Sequence, residues 1–357
     1  MSYRDDLFLR VNIIGVKCLM DFSTEIPVDG AVLGNGSYAA MPGRNPVNPV
    51  ELLPEQDLRL IIRNAADQLC QVVDGNLDFV VQVSESDDDI DKLLLLVNFV
   101  LASARRSFND LREVHRRIDE DLCAARRLQE KLLPQKLPNA RNLRASAKCI
   151  PAREVGGDFF DFFRYQNSGM YVGLLADVSG KGAAAAIYAA LASGIIRFLV
   201  DEELNPTQML TKLNKSLFSR APDGNFVALT YCTWDDQQLV LELASSGLPE
   251  PLLCRDGMVR KLKAHGLPLG LFPEADYEVM RIQCERGDTL LFYTDGVVET
   301  VDKDGNEFGV ERLCEIVRKT CRQKTLEIVN TVFDEVNTYC RCEMNFDDQT
   351  VIAMQVL

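Results

Sequence analysis

Hydrophobic and polar positions change their spacing several times along the chain, and each change marks a predicted element. From Pro54 onward, apolar residues recur at helical spacing as far as Asp74-Gly75-Asn76, where this helix is expected to end. Acidic residues at 87–91 then precede a second apolar pattern and are placed to cap a helix that begins near Ile90. The sequence Leu132-Leu133-Pro134 predicts the end of that second helix, because proline cannot continue it.

The second helix carries a heptad pattern from Leu101 onward. Its two seam positions are occupied by Leu101, Phe108, His115, Leu122 and Gln129 and by Ala104, Leu111, Ile118, Ala125 and Leu132. A repeat of about 3.5 residues sustained over this length is typical of a coiled coil. We therefore expect a homodimer formed through residues 101–132. A single amphipathic helix packed on its own domain remains the alternative.

Beyond residue 138 the pattern changes to strand-like runs interrupted by pairs of helical segments. The predicted strands cover residues 144–150, 159–165, 170–177, 227–234, 239–244, 289–294 and 350–357. The predicted helices cover residues 182–200, 206–219, 310–319 and 326–339. Because the strands dominate and the helices come in pairs, the pattern favours an α+β layered sandwich over a regularly alternating α/β fold.

The chain is long enough to contain several folding units. Its 357 residues exceed the usual size of one compact domain. Residues 1–53 form an N-terminal region of unknown function, 105–138 a coiled-coil linker, and 139–357 the main domain. Residues 54–104 resemble a HAMP signalling module, through Pro54-Glu55, the connector Asp74-Gly75-Asn76-Leu77 and Asp88-Asp89-Ile90.

Charge and composition narrow the classes of function. The net charge of −14 predicts a surface that repels nucleic acids and anionic membranes, so a protein or small-molecule partner is expected. The sequence pattern indicates no uninterrupted apolar run of about 20 residues and no signal peptide, which predicts a cytoplasmic protein without membrane insertion. The eleven cysteines are odd in number and lack a CxxC pair, which indicates reduced thiols.

Carboxylates are the candidate chemical groups of the main domain. Only two histidines are present, His115 and His265, which excludes most zinc sites and Ser-His-Asp triads. Acidic residues recur at strand ends or tight turns in residues 156–161 (GGDFFD), 174–182 (LLADVSGKG), 290–296 (LLFYTDG) and 345–350 (NFDDQT). Converging carboxylates that lack basic partners repel one another and generally hold cations. Oxygen ligands without histidine select Mg²⁺ or Mn²⁺.

These segments identify a family. Residues 128–357 closely resemble the PPM-type protein phosphatases, in particular their bacterial SpoIIE-like (RsbU-like) branch. The resemblance rests, in order, on residues 128–134 (LQEKLLP), 152–161 (AREVGGDFFD), 176–182 (ADVSGKG), 266–270 (GLPLG), 293–299 (YTDGVVE) and 347–350 (DDQT). It implies an αββα sandwich and a protein serine/threonine phosphatase. The implied substrate is phosphoserine or phosphothreonine on a regulatory protein of the anti-sigma-factor antagonist (STAS) type.

The resemblance also implies a set of site residues. Side-chain metal ligands are expected at Asp158, Asp177 and Asp295, with a backbone ligand at the carbonyl of Val178. Asp347 matches the last acidic ligand, and Asp348 is the second candidate for it. Two Mn²⁺ or Mg²⁺ ions about 3.5–4 Å apart would activate a water molecule for attack on phosphorus. No organic cofactor is expected.

Three further positions lie close to these motifs. Lys181 and Arg153 are candidates to offset phosphate charge. An ordinary solvated surface cation is the alternative for both residues, and it is the favoured interpretation of Arg153. Leu248 stands where many relatives carry histidine. This departure predicts a change at the rim of the site that affects substrate choice more than the metals.

Two rival functions are consistent with parts of the sequence. Residues 254–260 (CRDGMVR) match the C-x-x-G-x-x-R skeleton of cysteine phosphatases, with Cys254 as the nucleophile. Asp256-Gly257 between two short apolar runs instead indicates a β-hairpin turn, which disfavours that interpretation. The second rival is a non-catalytic, metal-binding adaptor with the phosphatase fold.

Overall fold

The computed structural model describes residues 63, 80, 89–134, 140–220, 224–340 and 347–357. The chain divides into two compact units, residues 1–115 and 116–357. The N-terminal region 1–53 and most of the HAMP-like segment 54–104 lie outside the described residues.

The second predicted helix is present as α1, Asp89–Leu132, a continuous helix of 44 residues. It begins one residue before the expected start and ends at the expected residue, two positions before Pro134. Several apolar side chains at its seam positions are exposed in the single chain, among them Leu111 at 68% and Ile118 at 50%.

The main domain, predicted from residue 139 onward, contains ten strands and five α-helices among the described residues. The strands are β1 (Leu143–Ile150), β2 (Phe159–Arg164), β3 (Tyr171–Val178), β4 (Val227–Asp235), β5 (Val240–Ser246), β6 (Leu252–Arg255), β7 (Met258–Lys261), β8 (Met280–Gln283), β9 (Thr289–Tyr293) and β10 (Gln349–Val356). The helices are α2 (Ala183–Leu199), α3 (Pro206–Phe218), α4 (Asp295–Val298), α5 (Val310–Thr320) and α6 (Thr325–Cys340).

Two antiparallel five-stranded sheets form the centre of this domain. Their strand orders are β1-β10-β9-β6-β7 and β2-β3-β4-β5-β8. Inward-facing residues such as Leu175, Trp234 and Phe292 pack between the sheets. Helices α2 and α3 cover the outer face of one sheet, and α5 and α6 cover the outer face of the other. This arrangement confirms the predicted αββα sandwich.

Burial on both faces explains why the sheet sequences are apolar runs rather than alternating patterns. In β9, Leu290 and Phe292 face the layer between the sheets, whereas Leu291 and Tyr293 face α5 and α6. Helix α3 has a specific start, because Asn205 accepts from the N–H of Gln208 in a capping box and Pro206 occupies the first turn.

One helical stretch among the described residues, Ala183–Glu202, is long and apolar enough to cross a membrane by length and composition. The sequence prediction overlooked it. Its residues Tyr188, Ala192 and Ile196 are buried in the core cluster beneath α2 and α3, so the apolar character has a packing role within this domain.

The structure contains elements that the pattern did not predict. Strands β6, β7 and β8 have only four residues each, and α4 has a single turn, so their periodicity is too short to detect. The turn at Asp256-Gly257 was predicted, and it joins β6 to β7 as an antiparallel hairpin.

Candidate functional site

The predicted acidic segments come together at the ends of four strands. Asp158 directly precedes β2, and Asp177 lies near the end of the neighbouring strand β3. Asp295 follows β9, and Asp347 precedes the neighbouring strand β10. Because each pair is antiparallel, the start of one strand lies beside the end of the other.

The charges of these carboxylates act on one another. Burial, and next the charge of Asp295, raises the pKa of Asp177 to about 7. Burial, and next the charge of Asp347, raises the pKa of Asp295. The negative charge is therefore only partly compensated by nearby basic groups, and a bound cation would relieve the repulsion.

Asp158 is the most enclosed member of the cluster, with 3% of its surface exposed. Its Oδ2 accepts hydrogen bonds from the hydroxyls of Thr294 at 2.8 Å and Thr350 at 2.7 Å. Its Oδ1 is buried and has no hydrogen-bond partner among the described residues. Burial, followed by the charge of Asp177, raises the pKa of Asp158 well above the usual range.

Asp347 and Asp348, which the sequence could not separate, have different surroundings. The Asp348 carboxylate is buried and accepts backbone N–H groups of Ala152 at 2.7 Å and Gly157 at 2.5 Å, with a longer contact from Asp158 at 3.4 Å. The Asp347 carboxylate is partly exposed and lies 2.9 Å from Nζ of Lys181. Asp348 thus shapes the loop before β2, while Asp347 keeps its carboxylate available at the surface.

Glycines allow the acidic loops to approach one another closely. A Cβ at Gly157 would lie 2.7 Å from the carbonyl oxygen of Val178, the predicted backbone ligand. A Cβ at Gly156 would lie 2.5 Å from Oδ2 of Asp348, and one at Gly296 would lie 2.1 Å from the Asp348 carbonyl oxygen. Larger residues at these positions would push the carboxylates apart.

The loop between β3 and α2 is held by hydrogen bonds and by glycine conformations. The Oγ of Ser179 accepts from the N–H of Phe226 at 2.8 Å, and Gly180 and Gly182 have positive φ angles of 95° and 74°. Lys181 pairs with Asp347 and is therefore beside the acidic cluster. Arg153 is exposed, and its Nη1 would lie 3.7 Å from a Cβ at Gly182.

The residues present fit hard divalent cations, although no group of three or more carboxylate, histidine or cysteine side chains in the described ranges has a geometry ready to hold an ion. The buried, unpartnered Oδ1 of Asp158 lacks the hydrogen bond that a buried oxygen normally makes. The surrounding donors are carboxylate and carbonyl oxygens, which suit Mg²⁺ or Mn²⁺.

Two residues that the sequence places in or near the site, Asp161 and Leu248, do not belong to it. The Asp161 carboxylate, in the same GGDFFD segment, forms a 2.5 Å ion pair with Arg197 of α2. Leu248 is 8% exposed and packs in the core between the sheets. The predicted position of Leu248 at the substrate rim is therefore wrong, because its side chain fills the interior.

Sequence reasoning missed the residues that support the carboxylates. Thr294 and Thr350 lie within the motifs YTDGVVE and DDQT, but the sequence pattern does not predict a role for them. Glu299 also interacts electrostatically with the acidic cluster, since burial and then the charge of Asp295 raise the pKa of its carboxyl group. A threonine directly before Asp295 and one shortly after Asp348 are weak signals, because a hydroxyl's partner depends on tertiary contacts.

Cys254 lies in β6 rather than in a phosphate-binding loop. Its thiol is buried, and burial is the main reason that its pKa rises to about 12. A thiol with so high a pKa is protonated at neutral pH and is a poor nucleophile. The strand-to-helix transition that a cysteine phosphatase needs is absent here, since β6 continues through a hairpin into β7.

We expect Cys254→Ala to leave phosphatase turnover within about twofold of wild type and to lower stability by about 1–2 kcal/mol, because the small buried side chain contributes packing only. Steady-state kinetics and urea unfolding measure the two effects. A loss of turnover of 100-fold or more in a folded variant would instead favour Cys254 as the nucleophile.

Comparisons with known proteins agree with this fold. A family model described as Stage II sporulation protein E (SpoIIE) matches residues 167–357. The chain is 24% identical over 302 residues to "Phosphoserine phosphatase RsbU" of Bacillus subtilis, covering 83% of this chain and 84% of that protein. It is 24% identical over 309 residues to "Protein IcfG" of Synechocystis, covering 78% of this chain and 48% of that protein.

Solved structures show the same fold. The SiaA-PP2C domain of Pseudomonas aeruginosa superimposes with a TM-score of 0.61 at 22% identity, covering 68% of this chain and 99% of that domain. The PP2C phosphatase domain of SpoIIE from Bacillus subtilis, with a fragment of its regulatory domain, gives a TM-score of 0.51 at 22% identity, covering 60% of this chain and 64% of that one.

Proposed function

The chain belongs to the SpoIIE family of PPM-type protein serine/threonine phosphatases, and on this premise we propose that it acts through two divalent cations, Mn²⁺ or Mg²⁺. The observation that carries the proposal is the buried Oδ1 of Asp158, which has no hydrogen-bond partner among the described residues. The charge of Asp177 acts on Asp158, and the charge of Asp295 acts in turn on Asp177. The pKa values of Asp177 and Asp295 are raised in part by neighbouring negative charge. Such a cluster is stabilised by cations.

We assign the ligands residue by residue. The proposed set comprises the side chains of Asp158, Asp177, Asp295 and Asp347 and the carbonyl of Val178. When bound, ions of this type lower the pKa of a water molecule and neutralise phosphoryl oxygens. Asp348 is assigned to the loop instead, because its carboxylate accepts the backbone N–H groups of Ala152 and Gly157.

The chain's own residues set the geometry of the reaction. Thr294 and Thr350 fix one oxygen of Asp158 and leave the other without a hydrogen-bond partner among the described residues. Gly157 permits close approach to the Val178 carbonyl. Lys181 places a half-exposed positive charge next to Asp347, where it would attract a phosphate group.

We propose a phosphorylated regulatory protein, of the anti-sigma-factor antagonist (STAS) type, as the substrate. The support is the similarity to a protein named as a phosphoserine phosphatase, RsbU, along 84% of its length. The acidic composition of the chain supports a protein partner rather than nucleic acid. The eleven cysteines, odd in number and without a CxxC pair, support a reducing, cytoplasmic location.

The domain organisation is part of the proposal. Residues 1–53 form a region of unknown function, 54–104 a HAMP-like module, 105–138 a linker helix and 139–357 the phosphatase domain. The linker is proposed to form a homodimer, supported by the exposed apolar side chains of Leu111 and Ile118 at seam positions of α1.

The double variant Leu111→Glu/Ile118→Glu is expected to shift the full chain from dimer to monomer, because paired carboxylates would replace apolar contacts in the seam. Light scattering at micromolar concentration measures the mass. Arg117→Glu, at a heptad position outside the seam, is the control and should remain dimeric. A monomeric wild-type chain would contradict the proposed dimer.

The reaction class is tested by hydrolysis of p-nitrophenyl phosphate with Mn²⁺, with EDTA, and after iodoacetamide. The proposal requires turnover that depends on Mn²⁺ and resists iodoacetamide. Turnover that is blocked by iodoacetamide and independent of metal would favour Cys254. A folded protein without turnover under any condition would favour the non-catalytic adaptor.

A further inference from the structure

The last turn of α1 is tied to the loop that leads into Asp158. The side-chain amide of Gln129 donates from Nε2 to the carbonyl oxygen of Gly156 at 2.6 Å. Its Oε1 accepts from the N–H of the same glycine at 3.2 Å. One side chain thus satisfies both backbone groups of Gly156, which fixes the orientation of two consecutive peptide units.

Gly156 is packed directly against the acidic cluster. A Cβ at this position would lie 2.5 Å from Oδ2 of Asp348, so the backbone has little freedom to shift toward that carboxylate. The next N–H groups, of Gly157 and Asp158, point to the same Oδ2. Gln129 therefore holds the loop from one side while Asp348 holds it from the other.

The helix end that carries Gln129 is itself anchored. Arg197 of α2 donates to the carbonyl oxygen of Leu132 at 2.8 Å and pairs with Asp161 of β2. Leu133 packs against the core on both faces of the β2-β3-β4-β5-β8 sheet. These contacts define where the last turn of α1 lies, independently of the hydrogen bonds of Gln129.

The position of Gln129 in the heptad pattern suggests a different partner from the one that its side chain binds in the structure. Gln129 is the last residue of one predicted seam, where a coiled coil would direct its side chain to a second chain. In the structure the amide binds Gly156 of its own chain. The seam contacts of a dimer would then end before this turn.

We propose that Gln129 is a positioning residue for the metal centre: its two hydrogen bonds to Gly156 hold the loop of residues 152–158 in the conformation that presents Asp158. The inference rests on the proposed function, because it takes Asp158 as a ligand. It makes the last turn of α1 part of the site's support. A shift of this turn would loosen Asp158 without touching a ligand.

The test uses the full chain and the variant Gln129→Met, which keeps the side-chain length and helix preference but removes both hydrogen bonds. Mn²⁺ affinity by calorimetry is expected to fall about 10-fold, the size typical of losing a group that orients a metal ligand. Leu128→Met, at the exposed neighbouring position, is the control and should bind like wild type.

Amide hydrogen exchange of residues 152–158, measured without metal, gives a second readout. Gln129→Met is expected to exchange faster at Gly156, whereas the control Leu128→Met should exchange like wild type. Gln129→Glu should also exchange faster, because a carboxylate oxygen would replace the donor that faces the Gly156 carbonyl oxygen. A lowered melting temperature with unchanged Mn²⁺ affinity and exchange would indicate a merely structural role and overturn the inference. Wild-type protein that binds no Mn²⁺ would overturn the proposed function and, with it, this inference.

Discussion

Asp177→Asn is expected to lower kcat by at least about 100-fold while the protein remains folded, because the substitution removes an anionic ligand from the group that would hold the cations. In the metal-free protein the same change should raise the melting temperature. Burial and the charge of Asp295 raise the pKa of the Asp177 carboxyl to about 7. Above pH 7 this carboxylate is therefore ionised in surroundings that disfavour its charge, which destabilises the metal-free protein. Asparagine has no charge to desolvate.

The two opposite effects make this variant informative. Kinetics with phosphoserine peptide at saturating Mn²⁺ measure the first effect, and calorimetric scans in EDTA at pH 8 measure the second. Asp256→Asn is the matched control, since Asp256 lies in the exposed β6-β7 turn with a φ of 50°, a conformation that asparagine also tolerates. Turnover of Asp177→Asn close to wild type would remove Asp177 from the site.

Gly157→Ala is expected to reduce activity by about 100-fold or more and to destabilise the domain by about 1–3 kcal/mol, the range for forcing an extra methyl group into a packed interior. The added Cβ would lie 2.7 Å from the Val178 carbonyl oxygen and 3.3 Å from the Cβ of Ala185. Relief requires the loop and β3 to separate, which would displace the proposed ligands on both.

Urea unfolding and steady-state kinetics measure these changes. The control is Gly194→Ala in the exposed face of α2, where a Cβ meets no atom within 4 Å. That variant should gain up to about 1 kcal/mol, since alanine replaces glycine within a helix. Equal stability and activity in Gly157→Ala and wild type would show that the loop and β3 are not held at this separation.

Local pattern was sufficient for most of the fold. The apolar runs that form β3 and β9 are largely buried. Asp177 lies near the end of β3 and Asp295 lies shortly after β9, so strand and carboxylate are visible together in the sequence. The long helix α1 was predicted by its acidic start and its Pro134 stop. The four-residue strands β6, β7 and β8 were not predicted as elements, because so few residues do not establish a period.

The contacts that organise the site depend on residues far apart in the chain. Asp347 and Asp348 are adjacent and chemically identical, and contacts with distant segments distinguish them. Asp348 accepts backbone N–H groups near Gly157, about 190 positions earlier, whereas Asp347 pairs with Lys181. The hydrogen bonds from Thr294 and Gln129 also connect distant segments. No periodicity or local spacing encodes such pairs, so the acidic motifs are visible in the sequence, whereas the groups that support them are not.

The most direct measurement is anomalous diffraction from crystals of the full chain grown with Mn²⁺. We expect two anomalous peaks bounded by Asp158, Asp177, Asp295 and Asp347, with ligand oxygens at about 2.0–2.2 Å, close to the distances of octahedral divalent cations. Asp348 should remain bound to the backbone of the loop before β2. Crystals with Mn²⁺ ordered elsewhere, or with no peak among these four carboxylates at saturating Mn²⁺, would contradict the proposed two-metal site.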